Sequence, residues 1–221
     1  MTKYKGIIFD FNGVLLWDIP LHEKGWDRFA RRHRGAGLSE HDWDHLNAKS
    51  TWDTIEYLLG KKLTREELDH YEAEKELGYQ EELGADPVLS AGAVSLLDNL
   101  KSRNIPMAVA TSSSKINIDF FLRTFGLEKW FPLDRIVYFD GTFPAKPHPE
   151  MYLRAAKTIG LNAGDCVVVE DAIQGIISAK AAGAGMIIGL ESTKDSKALL
   201  AAGADQSIKT LEEIKPEELF V

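Results

Sequence analysis

The hydrophobic positions divide the chain into three stretches with different periods. Gly6–Phe9 is a short apolar run rich in β-branched and aromatic side chains, which predicts a buried strand. From about Trp17 to Glu82 the apolar residues recur at helical spacing, and no strand-like run interrupts them. From Asp86 onward, strand-like runs alternate with amphipathic segments. This pattern predicts an α/β chain that carries a helical insertion after its first strand.

The alternating stretch contains five further predicted strands and five predicted helices. The strands are expected at Ile105–Ala110, Arg135–Phe139, Cys166–Glu170, Met186–Leu190 and Gln206–Ile208. The helices are expected at Ala91–Arg103, Ile116–Phe125, Pro149–Ile159 and Ile173–Ala182, and Leu199–Ala202 is expected to lie in a further helix that ends at Gly203. A capped segment from Thr210 closes the chain. Repeated strand–helix alternation favours right-handed crossovers and a parallel sheet covered on both faces. We therefore predict an α/β fold with a doubly wound parallel sheet, built from residues 1–16 and 86–221, and a helical domain at residues 17–85.

Within the helical insertion, three apolar stripes predict three helices. They are formed by Leu21, Trp26 and Phe29, by Trp52, Ile55, Leu58 and Leu59, and by Leu68 and Tyr71. Thr64-Arg65-Glu66-Glu67 matches the capping-box pattern, so the last of these helices is expected to begin there.

Composition and charge indicate which kinds of binding partner and which cellular compartment to expect. The chain has 221 residues, of which 44% are hydrophobic and 27% charged, and its net charge of −8 argues against binding to nucleic acid or to an anionic membrane surface. Its single cysteine, Cys166, lies inside an apolar run and fits a buried thiol in a reducing compartment. No stretch resembles a signal peptide or an apolar span of about 18 residues, which is the length expected of a membrane helix. We expect a cytoplasmic protein that is a monomer or a weak dimer.

Polar and charged side chains follow several of the predicted strands. Asp10 ends the first strand, Thr111-Ser112 ends the second, Lys146 follows the third, and Glu170-Asp171 ends the fourth. Because ligands of open parallel sheets bind beyond the carboxyl ends of the strands, these groups are expected to converge on one crevice. Three carboxylates there would repel each other without a cation, and oxygen ligands favour Mg²⁺. Ser112 before a helix and Lys146 together suit a phosphate group. The set indicates phosphoryl transfer through an aspartyl phosphate.

These motifs resemble those of the haloacid dehalogenase-like superfamily, in its β-phosphoglucomutase-like branch with a helical cap. The resemblance covers essentially the whole chain through four motifs in family order: Phe9-Asp10-Phe11-Asn12-Gly13-Val14, Ala110-Thr111-Ser112-Ser113, Lys146-Pro147-His148-Pro149, and Val169-Glu170-Asp171 followed by Gly175.

The resemblance implies a Rossmann-like catalytic core, a small phosphorylated metabolite as substrate, and a role for each motif. Asp10 would be the residue that is phosphorylated. The phosphate would be held by Ser112 or, in its place, Thr111, together with Ser113 and Lys146. Mg²⁺ would be bound by the carboxylates of Asp10, Glu170 and Asp171 and by the backbone carbonyl of Asn12.

Asn12 departs from the family pattern, which has a second aspartate at this position. That aspartate protonates the leaving oxygen and later deprotonates the attacking hydroxyl, whereas an amide does neither. Loss of a general acid/base costs about 10²–10⁴-fold in rate. Four explanations stay open: an enzyme whose leaving group needs no proton, a weak phosphatase helped by His22 or water, a protein that binds a phosphorylated ligand without turnover, or a deliberate substitution that traps a complex. A sugar phosphomutase is a further alternative.

Four residues are candidates for substrate contacts, and each has a structural alternative. His22 has the spacing from Asp10 of a cap histidine that faces the sugar, or it is a solvated helix-end residue. Lys49 could reach the substrate or be solvated. Trp52 could stack on a ring or pack in the helical domain. Lys115 could hold a second anionic group or cap a helix start. Trp17 could shield the site or pack between domains.

Overall fold

The computed structural model describes residues 4–46, 50–84 and 87–220. In chain order its strands and helices are β1 (Gly6–Phe9), α1 (Ile19–Arg34), α2 (Glu40–Leu46), α3 (Thr51–Leu59), α4 (Arg65–Leu83), α5 (Ala93–Ser102), β2 (Met107–Thr111), α6 (Lys115–Phe125), β3 (Ile136–Tyr138), α7 (Glu150–Thr158), β4 (Cys166–Glu170), α8 (Ile173–Ala181), β5 (Met186–Leu190), α9 (Ser196–Ala202), β6 (Gln206–Ile208) and α10 (Pro216–Leu219). The contacts divide the chain into two compact units, Met1–Trp17 with Val88–Val221 and Asp18–Pro87.

The first unit is built on a six-stranded sheet in the order β3-β2-β1-β4-β5-β6. Every neighbouring pair of strands is parallel. This order places β1 in the middle, with β2 on one side and β4 on the other, so the order reverses at β1. In open α/β sheets, ligands bind at such a switch point, beyond the carboxyl ends of the strands.

The central strands are buried on both faces. All residues of β1, β2 and β4 are buried, and because successive side chains point to opposite faces, both faces must be covered. On one face, Ile8 and Val168 belong to a core cluster that includes Tyr152 from α7 and Ile176 from α8. The parallel, doubly wound fold class predicted from the sequence is confirmed.

The predicted boundaries differ from the observed ones by one or two residues at several elements. β2 begins at Met107 instead of Ile105, because the backbone nitrogen of Ile105 donates to Leu100 at the end of α5 and Pro106 has no N–H. The prediction that Leu199–Ala202 lies in a helix ending at Gly203 is confirmed by α9, which begins at Ser196 because the Asp195 carboxylate accepts a hydrogen bond from Ala198 N at 2.8 Å and caps the helix. Thr210 forms a capping box with Glu213, as the segment from Thr210 was expected to be capped.

The second unit consists of α1 to α4. Phe29, Ile55 and Leu58 form its buried cluster, which confirms the helical stripes that contain them. The capping box at Thr64 is also confirmed: Glu67 N donates to Thr64 Oγ1 at 3.3 Å, and Thr64 N donates to the Glu67 carboxylate at 2.8 Å. No helix among the described residues is long and apolar enough to cross a membrane.

The helix α2 was not expected from the sequence. Its seven residues carry few apolar side chains, so they show no clear stripe. Polar contacts hold α2 in place: Asp42 accepts hydrogen bonds from Ser39 N at 2.8 Å and from Tyr57 Oη at 2.8 Å. A helix stabilised in this way has a weak hydrophobic pattern.

Candidate active site

The ammonium group of Lys146 joins two carboxylates at the carboxyl end of the sheet. Its Nζ donates to Asp10 Oδ1 at 2.6 Å, to Glu170 Oε1 at 2.6 Å and to the backbone oxygen of Ala110 at 3.2 Å. Asp10 follows β1, Ala110 is in β2 and Glu170 ends β4, so adjacent strands bring these groups together. The sequence-based expectation that Asp10, Lys146 and Glu170 converge therefore agrees with the geometry.

Both carboxylate oxygens of Glu170 are fully engaged. Oε1 also accepts from Tyr152 Oη at 3.0 Å, and Oε2 accepts from the backbone nitrogens of Asp171 and Ala172, both at 2.8 Å. The backbone of α8 passes so close that a Cβ built on Gly175 would lie 1.6 Å from Glu170 Oε1. Glu170 is thus a buried acceptor that positions Lys146. Each of its carboxylate oxygens already accepts two hydrogen bonds, so neither is left to bind a metal.

The carboxylate of Asp171 lies against the turn that follows Asp10. A Cβ built on Gly13 would be 2.3 Å from Asp171 Oδ2, so only glycine fits at this point. Gly13 has a φ of +83°, as expected from the Asn-Gly pair. Ser192 Oγ donates to Asp171 Oδ2 at 3.1 Å, and Thr193 Oγ1 donates to the Asp171 backbone oxygen at 2.8 Å.

Burial and mutual repulsion shift the ionisation of these carboxyl groups. Burial raises the pKa of Asp10 well above its ordinary value, Lys146 opposes this rise, and Glu170 and Asp171 add to it. Burial, followed by the charge of Glu170, raises the pKa of Asp171 to about 7. Burial lowers the pKa of Lys146, but the charges of Asp10 and Glu170 more than offset it, so the net shift is upward and the ammonium is retained. The site therefore has an excess of negative charge that a bound cation would relieve.

The residues present are compatible with Mg²⁺, although not with the full predicted ligand set. Among the described residues, no group of three or more His, Cys, Asp or Glu side chains could hold a metal ion. Mg²⁺ is commonly bound by one or two carboxylates, with waters and substrate phosphate completing its shell. Asp10 and Asp171, with the backbone carbonyl of Asn12, are the predicted ligands that meet this description.

Asn12 is held by the last residue of β2 and by a residue just beyond that strand. Its Oδ1 accepts from Ser113 Oγ at 2.6 Å and from Thr111 Oγ1 at 3.4 Å. The hydroxyl of Ser113, predicted to bind phosphate, is thus directed at Asn12. Ser112 is exposed at the same strand end.

Lys115 lies at the start of α6 and forms a local ion pair. Its Nζ is 2.5 Å from Asp119 Oδ1, one helical turn further on, and both side chains are about half exposed. A pair of this kind is worth little in free energy, so it does not prevent Lys115 from turning to another anion.

His22 is surrounded by partners from its own unit. Lys75 Nζ lies 3.1 Å from His22 Nδ1, and Asp18 Oδ2 lies 3.3 Å from His22 Nε2. Its ring stacks on that of Tyr79 with centroids 3.8 Å apart, and Tyr79 Oη donates to Asp18 Oδ2. Lys75 is itself held by the Glu76 carboxylate at 2.9 Å. Because an ammonium only donates, Nδ1 accepts and the ring proton resides on Nε2.

The remaining candidates for substrate contacts are Trp52, Trp17 and Lys49. Trp52 Nε1 donates to Glu72 at 3.3 Å, and the guanidinium of Arg65 lies 4.2 Å from the Trp52 ring centroid, so this indole packs within the helical unit. Trp17 is 60% exposed. Lys49 lies outside the described residues.

Sequence reasoning missed Tyr152, Ser192 and the Asp18–Lys75–Glu76 group. Tyr152 is at a regular apolar position of α7, and its hydroxyl is recognised as a partner only from the structure. Lys75 and Glu76 lie on the buried side of α4. Because α4 is polar along most of its length, its sequence does not reveal which of its charged residues are buried.

Comparison with known proteins shows the family of the chain. Residues 4–183 match the family of haloacid dehalogenase-like hydrolases. A phosphorylated carbohydrates phosphatase from Thermotoga maritima is 30% identical over 98% of this chain and 96% of its own length.

Solved structures give the same result. A hydrolase of this family (family IA, variant 3) from Entamoeba histolytica is 40% identical, with a TM-score of 0.89 over 97% of both chains. A β-phosphoglucomutase from Clostridium difficile is 25% identical, with a TM-score of 0.80 over 97% of this chain and 95% of its own. The match over most of the chain and the four motifs at one end of its sheet lead to the same conclusion: the chain belongs to the haloacid dehalogenase-like hydrolases, which confirms both the family and the class of enzyme predicted from its sequence.

Proposed function

We propose that this protein is a Mg²⁺-dependent phosphatase of small phosphorylated metabolites that acts through an aspartyl phosphate on Asp10. The observation that carries the proposal is the buried ammonium of Lys146, held 2.6 Å from Asp10 and 2.6 Å from Glu170 at the switch point of the sheet. A carboxylate beside a fixed cation is suited to attack phosphorus while the cation compensates the charge of the phosphoryl oxygens.

In this proposal, each residue of the site has a defined task. A carboxylate oxygen of Asp10 attacks phosphorus, and the ester oxygen leaves with the electrons of the broken bond. The positive charge of Lys146, beside Asp10, offsets the charge of the phosphoryl oxygens, and Glu170 and Tyr152 keep its ammonium in position. Ser112, exposed at the end of β2, donates a hydrogen bond to the phosphate. Mg²⁺, held by Asp10, Asp171 and the carbonyl of Asn12, would neutralise the negative charge that the phosphate and carboxylates share.

The substrate class follows from the relatives. The Thermotoga maritima relative is named for phosphorylated carbohydrates, and it matches nearly the whole chain. We take a phosphorylated carbohydrate as the substrate class, with the sheet unit as the catalytic core and the helical unit as its cap. Phosphomutase activity is a second candidate, because the Clostridium difficile structure is that of a β-phosphoglucomutase.

The test is phosphate release from a panel of sugar phosphates with and without MgCl₂, combined with intact mass measurement. The native chain is expected to release phosphate only with the metal and to show a phosphoryl adduct. Asp10→Asn is expected to lose both, while Asp165→Asn, the same change in an exposed ion pair with Lys5, is expected to keep both. Release by Asp10→Asn at the native rate would refute the role of Asp10. Binding of a sugar phosphate without release by the native chain would instead support a ligand sensor.

A further inference from the structure

The side-chain oxygen of Asn12 is held by two hydroxyl donors. It accepts from Ser113 Oγ at 2.6 Å and from Thr111 Oγ1 at 3.4 Å. The other end of a carboxamide is an NH₂ group, which has donors and no acceptor. This group neither gives up a proton nor takes one at neutral pH, so Asn12 does not protonate a leaving oxygen.

Among the described residues, the titratable groups around Asp10 offer no replacement acid once Asp171 is taken as a ligand of Mg²⁺. The three protons of the Lys146 ammonium are matched by three acceptors, the carboxylates of Asp10 and Glu170 and the carbonyl of Ala110. Tyr152 is fully buried, and its hydroxyl donates to Glu170. Glu170 itself is 1% exposed and accepts four hydrogen bonds. The protons of Lys146 and Tyr152 are therefore used within the protein, and Glu170 is only an acceptor.

The histidine of the helical unit is committed in the same way. The His22 Nδ1 atom faces the Lys75 ammonium and Nε2 faces the Asp18 carboxylate, at 3.1 Å and 3.3 Å. Stacking on Tyr79 fixes the ring plane. Its Nε2 proton is therefore directed at a buried carboxylate of its own unit.

We infer that this enzyme is specialised for phosphate groups whose leaving oxygen departs as an anion, such as phosphates of phenols, enols, carboxylic acids and anomeric hydroxyls, over phosphates of ordinary alcohols. The inference rests on the proposed function and names the substrate class of the same site. In the first step the Asp10 oxygen forms the new bond to phosphorus, the bond between phosphorus and the ester oxygen breaks, and that oxygen leaves with the electron pair and is protonated by solvent. In the second step water attacks phosphorus, the carboxylate of Asp10 is released, and the proton passes to solvent.

The experiment measures kcat/KM for a series of substituted phenyl phosphates and one glycerol phosphate, in buffer with MgCl₂. This parameter reports the first chemical step, so slow hydrolysis of the phosphoenzyme does not hide the leaving group. For the native chain, kcat/KM is expected to fall steeply as the leaving group becomes less acidic. Activated phenyl phosphates are expected to give an initial burst of phenolate equal to the enzyme present.

Asn12→Asp supplies an acid at the same place, because Ser113 and Thr111 donate to a carboxylate oxygen as well as to an amide oxygen. It is expected to flatten the dependence, with a gain of about 10²–10⁴-fold on glycerol phosphate and under about tenfold on the most activated phenyl phosphate. Asn12→Ala has no acid and should keep the steep dependence. Asn99→Asp, the same chemical change on the exposed side of α5, should match the native chain. Intact mass checks that the Asn12-Gly13 pair has not deamidated.

The outcomes separate the two proposals. A native dependence as flat as that of Asn12→Asp would overturn the inference and leave the phosphatase proposal standing, since an acid would then be acting from elsewhere. No turnover of activated phenyl phosphates by the native chain would overturn both. A steep native dependence that Asn12→Asp flattens and Asn12→Ala does not would support both.

Discussion

Replacing Asp171 by asparagine is expected to stabilise the metal-free protein while it abolishes activity. The carboxyl group is 2% exposed, and burial and the charge of Glu170 raise its pKa from 3.8 to about 7. A group whose folded-state pKa is raised in this way binds its proton more tightly when folded, so its ionisation opposes folding. The cost is absent below the unfolded-state pKa, grows between about pH 4 and pH 7, and is complete above the folded-state pKa.

The magnitude follows from the same shift. Each tenfold change in an ionisation constant is worth about 1.4 kcal/mol, so a rise from 3.8 to about 7 corresponds to about 4 kcal/mol at alkaline pH. The substituted side chain would carry no charge, and its carbonyl oxygen can still accept from Ser192 as the Asp171 carboxylate does at 3.1 Å. Asp171→Asn is therefore expected to raise the free energy of unfolding by up to about 4 kcal/mol near pH 8 and by little below about pH 4.

Urea denaturation of both chains in EDTA, between about pH 4 and pH 8, measures this difference in the free energy of unfolding. Equal m-values for the two chains check that their unfolded states are comparable. Adding MgCl₂ is expected to stabilise the native chain and to leave Asp171→Asn unchanged, since ligand binding to the folded state raises its stability. Asp165→Asn is the matched control with the opposite sign, because Lys5 lowers the pKa of Asp165. If Asp171→Asn were no more stable than the native chain near pH 8, the reasoning from burial and repulsion would be wrong.

Two further substitutions test the arrangement around Lys146. Lys146→Met leaves Asp10 and Glu170 as buried carboxylates without their cation, so it is expected to lower the free energy of unfolding by about 3–5 kcal/mol and to abolish phosphatase activity. The control Lys5→Met removes the cation of an exposed pair and should lower the free energy of unfolding by less than about 1 kcal/mol. Equal effects of the two substitutions in chemical denaturation would contradict the role assigned to Lys146. Gly175→Ala places a methyl group 1.6 Å from Glu170 Oε1 and is expected to cost about 1–3 kcal/mol or more. Gly78→Ala in α4, where a Cβ has room, should instead stabilise by about 0.5–1 kcal/mol, so a harmless Gly175→Ala would disprove the close approach.

Local sequence patterns predicted the fold well because the central strands are continuous apolar runs. Cys166–Glu170 was predicted with the bounds that the structure has, since its first four side chains are apolar and all five are buried. α2 was missed because its stability comes from Asp42 and from side chains distant in sequence, such as Tyr57. Its pattern of apolar residues is too weak to reveal a helix.

The sequence by itself determined which chemical groups stand at the strand ends: Asp10, Asn12, Lys146 and Asp171 could be named from strand-like runs and their polar termini. Only the tertiary structure decided how these groups share their hydrogen bonds. Lys146 binds Glu170 across 24 positions of chain, and Tyr152 and two backbone nitrogens occupy the rest of that carboxylate. The physical reason is that hydrogen bonds are directional and limited in number at each atom, so which donor satisfies which acceptor depends on distances that packing sets and spacing along the chain does not.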